Sequence, residues 1–301
     1  GLRIVAERSP LLGAGIGVRP IDPNAAAEEP APDVELDDAR RAKLIAFVEG
    51  GLRDLSVSRT SFDWGVKVPG ADGHVMYVWV DALTNYLTGL GYPDLDGDMA
   101  KFWPANLHLI GKDIVRFHAV YWPAFLMSAD LPLPQKVFGH GFLLNRGEKE
   151  SKSLGNVTDP VELAEKFGVD TLRYFLMREV AFGQDGSYSP EAIVTRANAE
   201  LANSFGNLAQ RTLSMIFKNM DGALELFDST EVDDELLSSV ANACRTELPR
   251  EFAKLSFSVG IEAWVRAVNA CNQYVDEQAP WALKKSDPER MKAVLLTLFV
   301  A

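Results

Sequence analysis

The chain has 301 residues, 47% of them hydrophobic and 24% charged, with a formal net charge of −12. That length holds one large domain or two ordinary ones, and the acidic balance excludes indiscriminate nucleic-acid binding through bulk charge while leaving room for a local basic patch. No apolar run approaches the roughly 18 residues of a membrane span, and nothing at the start reads as a signal peptide, so a cytoplasmic protein without a membrane partner is expected.

Residues 1–40, rich in Ala, Pro and acid (Pro23-Asn24-Ala25-Ala26-Ala27-Glu28-Glu29-Pro30), have no apolar period and read as a divergent, poorly ordered arm. From about residue 41 an amphipathic helix is expected, leading into Ser56-Val57-Ser58-Arg59. Val75 to Val80 is an uninterrupted apolar run that reads as a strand, with Asp81 capping a helix that ends near Gly89 or Gly91. Leu107 to Ile110 reads as a second buried strand, turning at Gly111-Lys112-Asp113 into a helix from Ile114 to about Ser128. A third strand, Val137 to Leu144, runs into the turn Asn145-Arg146-Gly147 and then the loop Lys149-Glu150-Ser151-Lys152-Ser153. Asp159-Pro160-Val161-Glu162 has the N-cap, the proline and the acid of a helix start. Strands alternating with helices imply an α/β fold with a parallel sheet, in which ligands bind beyond the carboxyl ends of the strands.

Beyond residue 160 the pattern is helical. Val161–Phe167 is expected to end at Gly168, Asp170 to cap Thr171–Val180, and Ser189-Pro190-Glu191 to start a helix of more than about 20 residues. Leu201, Phe205, Leu208 and Thr212 recur at helical spacing and predict a buried face. Two more helices, over 232–256 and 257–277, complete a bundle. Cys244 and Cys271 have no partners at metal spacing and read as small buried hydrophobes in a reducing compartment.

Chemistry concentrates at the expected strand ends. Trp79 closes the first expected strand, and Ala82, Leu83 and Tyr86 follow on one helical face, making an aromatic-walled pocket mouth. Gly111 permits close backbone approach, and Asp113 at a helix start can cap that helix or receive a ligand ammonium. Ile114 and His118 lie four apart on the same side, and the third strand adds His140 and Gly141 ahead of Lys149. Two lysines and two serines in one loop suit a polyphosphate. No zinc cluster, Ser-His-Asp order or glycine-rich phosphate loop occurs, so the set fits nucleotidyl transfer, where a protein positions reactants and neutralises charge on leaving pyrophosphate. In the bundle Asn203, Asn207 and Arg211 form a polar stripe, and Trp281 follows Pro280 at a helix end. Such groups can stack on and hydrogen-bond unpaired RNA bases.

These segments together resemble the class I aminoacyl-tRNA synthetases, and among them the bacterial methionyl-tRNA synthetase family. Lys149-Glu150-Ser151-Lys152-Ser153, followed by Leu154-Gly155-Asn156, is similar to the class signature Lys-Met-Ser-Lys-Ser. Similar to the family as well are Tyr77-Val78-Trp79-Val80-Asp81-Ala82, Gly111-Lys112-Asp113-Ile114 with Phe117-His118, Asn207-Leu208-Ala209-Gln210-Arg211, and Tyr274 to Trp281. The likeness is read over roughly residues 45–301. It implies the second half of a Rossmann-like catalytic domain (41–160), then an all-α region of linking helices and anticodon-binding bundle (161–301). The implied activity is that of a methionine–tRNA ligase, using ATP with Mg²⁺ to make methionyl-adenylate from L-methionine and transferring it to tRNA(Met).

The resemblance also implies residue roles. Trp79, Ala82, Leu83, Tyr86, Ile114 and His118 would form the methionine pocket, with Asp113 close to the adenylate. Lys149 and Lys152 would stabilise the triphosphate, with Gly111, His140, Ser151 and Ser153 around the nucleotide. Asn207, Arg211 and Trp281 would read the CAU anticodon. No protein metal ligand is assigned; whether the family's connective region would hold zinc is left open, because that region is expected to be missing. The class's His-x-Gly-His motif is absent from the sequence, so the chain reads as a fragment at both ends that cannot catalyse alone. Residues 1–40, unlike what should precede residue 45, suggest an upstream frame error or fusion. Glu150 in place of the signature's Met is expected to weaken phosphate attraction, so that Glu150→Met raises activity. Two rivals remain: a non-catalytic tRNA-binding paralogue, and a class I synthetase for leucine, valine or isoleucine.

Overall fold

The computed structural model describes residues 33–35, 38–52, 55–150, 156–179, 181, 184–222 and 232–301, and the chain divides into two units at His140/Gly141. In the first unit the elements run β1 (Asp33–Glu35), α1 (Asp38–Glu49), β2 (Ser58–Arg59), β3 (Val75–Met76), α2 (Val78–Thr88), α3 (Asp98–Phe102), β4 (His108–Gly111), α4 (Trp122–Ser128) and β5 (Lys136–His140). β1 and β4 flank β5, both parallel to it. His108 stands opposite Val137 and Gly111 opposite His140, so the carboxyl ends of β4 and β5 lie side by side. A 3₁₀ turn over Lys112–Ile114 and a π-type turn over Phe117–Tyr121 carry the chain from β4 into α4.

The core of this unit has two parts. Ile110, Val115 and Val137 pack with Leu44 of α1. Leu83, Leu87, Met99, Trp122 and Leu126 form the larger cluster, where full burial of each leucine contributes about 2 kcal/mol.

Three sequence expectations for this unit change. The arm is not structureless throughout, because 33–35 add a strand to the parallel sheet. The apolar run 75–80 is a strand only at Val75–Met76: Tyr77 is extended (φ −91°, ψ 136°) and the helix begins at Val78. Periodicity cannot separate a short apolar strand from a buried helix start; here burial of Leu83 and Leu87, four apart on α2, favours the helix. Asp81 consequently lies in the first helical turn, where a carboxylate faces the positive end of the helix dipole, and not at the cap.

In the second unit β6 (Leu143–Asn145) pairs antiparallel with β7 (Glu148–Lys149) and parallel with β8 (Gly186–Tyr188). The expected strand 137–144 is thus interrupted after His140: its two halves belong to different sheets. Gly141 stands at the break, where a Cβ would overlap the backbone carbonyl of Gln184. Arg146 and Gly147 form the two-residue turn between β6 and β7 with φ of 50° and 84°, the pair of left-handed residues that matches hairpin twist.

Helices make up the rest of this unit. α5 (Pro160–Phe167) is capped by Asp159, whose carboxylate accepts from Val161 N. α6 (Val169–Glu179) starts two residues earlier than expected, which places Asp170 inside its first turn. Ser189 caps a long helix that is α-helical over α7 (Pro190–Arg196) and α8 (Asn207–Asn219), with π-type turns over Ala197–Gly206 between them. α9 (Asp234–Ala241), a π-type segment (Asn242–Glu247), α10 (Leu248–Ala253), α11 (Phe257–Gln278), α12 (Pro280–Ser286) and α13 (Pro288–Val300) follow. Val240, Ala263, Ala267, Cys271, Val275, Val294 and Leu298 centre the bundle core. On the long helix Thr212 is buried as expected, but Phe205 is 46% exposed. No helix among the described residues is long and apolar enough to cross a membrane.

Candidate active site and base-reading cluster

In the first unit, α2 presents Trp79, Ala82, Leu83 and Tyr86 at steps of three and four. Trp79 stacks flat on Phe117 (centroids 3.8 Å, 10°) and meets His118 edge-on at 6.4 Å. Tyr86 Oη lies 2.9 Å from His118 Nε2, and His118 Nδ1 lies 3.1 Å from the carbonyl oxygen of Ile114. A carbonyl only accepts, so Nδ1 carries the proton and Nε2 accepts from Tyr86. Burial lowers the His118 pKa, outweighing the opposite pull of the Ile114 bond, and the ring stays neutral at physiological pH. Burial also raises the Tyr86 phenol. Ala82 is exposed and Leu83 lies wholly in the core.

His108 was missed as part of this group. It is 4% exposed, its ring centroid lies 4.4 Å from that of Tyr86, and its Nε2 accepts from Trp122 Nε1 at 3.2 Å. Indole is a donor only, so His108 too is held neutral; burial, with a smaller repulsion from His118, takes its pKa down to about 4. Trp122 was not singled out either, although its place four residues after His118 is a signal that could have found it, whereas the approach of His108 to Tyr86 across 22 residues leaves none. Beyond Gly111, Asp113 is exposed with its carboxylate against that glycine: a Cβ at 111 would stand 2.8 Å from Asp113 Oδ1. His140 is exposed at the end of β5, beside Gly111.

In the second unit Lys149 ends β7, exposed, with Nζ 4.3 Å from the Phe142 ring centroid. Ser151, Lys152 and Ser153 lie outside the described residues. Glu150 turns inward. Its Oε1 accepts from Thr158 N (3.2 Å), Thr158 Oγ1 (2.6 Å), Tyr188 Oη (2.5 Å) and Asn145 Nδ2 (3.4 Å). Tyr188 Oη also lies against Thr158 Oγ1. Burial pushes the Glu150 carboxyl up, but these donors together outweigh it and hold its pKa below the ordinary value. Asn145, Thr158 and Tyr188 were not singled out from the sequence, since nothing in their spacing ties them to position 150.

In the bundle, Arg211 forms an ion pair with Asp276 (2.8 Å), and its guanidinium lies 5.6 Å from the Trp281 ring centroid. Asn207, one turn earlier on α8, is exposed and donates to the Asn203 carbonyl at 3.1 Å. Trp281 is 54% exposed. The left-handed Ala279 (φ 42°, ψ 59°) ends α11, and Pro280 starts α12, which places the indole beside the guanidinium. Among the described residues no group of three or more His, Cys, Asp or Glu side chains is placed to hold a metal ion.

The family described as tRNA synthetases class I (M) matches residues 29–213. The chain belongs to the methionyl-tRNA synthetase family. The match begins at residue 29, so the likeness reaches into the segment 1–40 that the sequence alone marks as divergent. The methionine–tRNA ligase of Brucella suis is 58% identical over 256 residues, 85% of this chain and 50% of that protein. That of Rhizobium meliloti is 57% identical over 268 residues, covering 89% and 52%. The solved structure of Mycobacterium tuberculosis methionyl-tRNA synthetase in complex with methionyl-adenylate matches with a TM-score of 0.77 at 53% identity, over 88% of this chain and 53% of that one. The chain spans about half the length of the curated relatives it matches.

Proposed function

We propose that this chain carries methionine-binding and tRNA-reading parts of a methionine–tRNA ligase. In that reaction a methionine carboxylate oxygen attacks the α-phosphorus of ATP, the bond to the β-phosphate oxygen breaks, and pyrophosphate leaves; the methionyl group of the adenylate then passes to a hydroxyl of tRNA(Met), and AMP leaves. The observation that carries the reading is the Trp79–Phe117–His118–Tyr86 group beside β4, held neutral and largely apolar. A thioether gains from contact with aromatic edges and needs no charged partner, which favours methionine over the branched aliphatic amino acids. Ala82, Leu83 and Ile114 complete the proposed pocket, and Asp113 receives the substrate's ammonium.

Lys149 and Lys152 are assigned to the triphosphate, with Gly111, His140, Ser151 and Ser153 around the nucleotide. Mg²⁺ arrives bound to ATP. Asn207, Arg211 and Trp281 are assigned to the CAU anticodon, a role supported by a guanidinium and an exposed indole set side by side. Two free cysteines on one core, Cys244 and Cys271, suit a reducing cytoplasm.

The test is calorimetric titration of the 301-residue chain with methionine and with a non-hydrolysable methionyl-adenylate analogue, against leucine, isoleucine and valine. Saturable binding that prefers methionine, weakened about tenfold or more by Trp79→Ala, is expected. Equal binding of leucine, or none of methionine, sinks the reading. Because the sequence has no His-x-Gly-His motif, methionine-dependent ATP–pyrophosphate exchange is not expected from these residues alone.

A further inference from the structure

Charge alone makes Glu150 a liability, since a carboxylate between Lys149 and Lys152 should repel the phosphates those lysines attract. The geometry points elsewhere. Lys149 ends β7 and Glu150 follows it: the Lys149 ammonium lies out over Phe142, while Glu150 is among the residues that line a cavity of about 80 Å³. Leu143, Leu163, Leu172, Phe175 and Ile193 are among the apolar walls of that cavity. Side-chain donors from β6 and β8 and both donors of Thr158 meet there on a single oxygen, Glu150 Oε1. A second bond crosses the same neck, from Asn156 Nδ2 to the Lys149 carbonyl at 3.3 Å.

We propose that Glu150 is a positioning residue for Lys149: its carboxylate clasps residue 150 to residue 158 and to β8, fixing the point from which Lys149 projects. The function of the clasp rests on the reading of this loop as a phosphate site. Ionised glutamate is the form that works, because a carboxylate accepts from several donors at once, whereas a protonated carboxyl brings a hydrogen of its own into a group of donors. The groups that face it are Asn145, Thr158 and Tyr188, and no cation is among its partners in the described residues. Among the described residues its charge is therefore satisfied by dipoles.

Two readouts on the intact chain test this. The first is hydrogen exchange at the Thr158 amide, with the Gly186 amide, bonded to the Phe142 carbonyl, as internal control. Glu150→Ala should cut Thr158 protection about tenfold, the scale of a lost bond to a charged acceptor. In the parent chain, protection corrected for intrinsic rate should fall as pH drops below the ordinary range of a glutamate, while the alanine variant stays flat. Tyr188→Phe, which removes one donor and leaves the ring, should act in the same direction by a smaller factor and serves if the alanine variant does not fold. The second readout is affinity for inorganic pyrophosphate, which Glu150→Ala should weaken several-fold through loss of position. Unchanged Thr158 protection overturns the clasp. Tighter pyrophosphate binding in the alanine variant overturns the positioning role and restores Glu150 as a repelling charge. If the parent chain binds no pyrophosphate, the phosphate reading of the loop fails, and the Thr158 amide still reports on the clasp separately.

Discussion

His108 and His118 show how much a single side chain's proton decides. Each ring nitrogen that meets Trp122 or Tyr86 must accept, so each histidine is neutral in the folded chain. The folded pKa of His108 is depressed to about 4 against an unfolded value near 6.5. Stability is therefore complete above about pH 6.5 and declines as pH falls toward 4, because the unfolded chain takes up the proton first. For His108 the whole window is worth on the order of 3 kcal/mol. Denaturant unfolding of the parent and of His108→Phe between pH 7 and pH 4 checks this: the parent should lose stability and the variant should lose less. Identical pH slopes would refute it. Much of this group was legible in the sequence, since Trp79, Tyr86, Ile114 and His118 sit at helical steps. His108 was not, because its role depends on which neighbours the sheet brings to it. The surroundings of Glu150 were not legible for the same reason: the sequence sets it between Lys149 and Lys152, whereas its hydrogen-bond partners among the described residues are hydroxyls and amides.

Among the elements, helix starts were the most readable feature, as Asp159-Pro160 and Ser189-Pro190 carry their own caps. The run at 75–80 misled because β-branched and aromatic residues suit both a strand and the first turn of a buried helix. What secures α9, α11 and α13 to one another was not readable at all. Arg290 grips Asp233 with two bonds of 2.8 and 2.6 Å and reaches Gln278, while Tyr274 donates to Asp233 at 2.5 Å. The Arg290 guanidinium hydrogen bonds outweigh burial and hold the Asp233 carboxyl below its usual range. Both partners are about a third exposed, so solvent screening reduces the effect. Arg290→Met is expected to cost about 1–2 kcal/mol at pH 7, and less once Asp233 is protonated in acid. Chemical denaturation followed by helical circular dichroism would show this, and a loss below about 0.3 kcal/mol would mean the staple is ornamental.

At the scale of the whole molecule, an acidic chain of net charge −12 proposed to read RNA has to do so with few cations. Arg211 is already paired with Asp276, which reduces its capacity to displace counterions. Binding of a CAU anticodon stem-loop should accordingly have a shallow salt dependence, a log–log slope no steeper than about −2, corresponding to two or three phosphate contacts. Trp281→Ala should weaken it by about 1–3 kcal/mol, the value of one stacked base. A slope near −6 would instead mean that a basic surface outside the Arg211–Trp281 cluster dominates. With little long-range attraction to speed encounter, affinity must come from a long residence time, and that favours a surface already in its bound shape. Ala279 is where the fold supplies this. Glycine would occupy the left-handed corner before Trp281 without cost, but it would also let the corner unwind into many neighbouring conformations. Alanine reaches that corner at some cost but from a narrower set of unfolded conformations, so on the proposed RNA reading less freedom is lost when a base stacks on the indole than with glycine there.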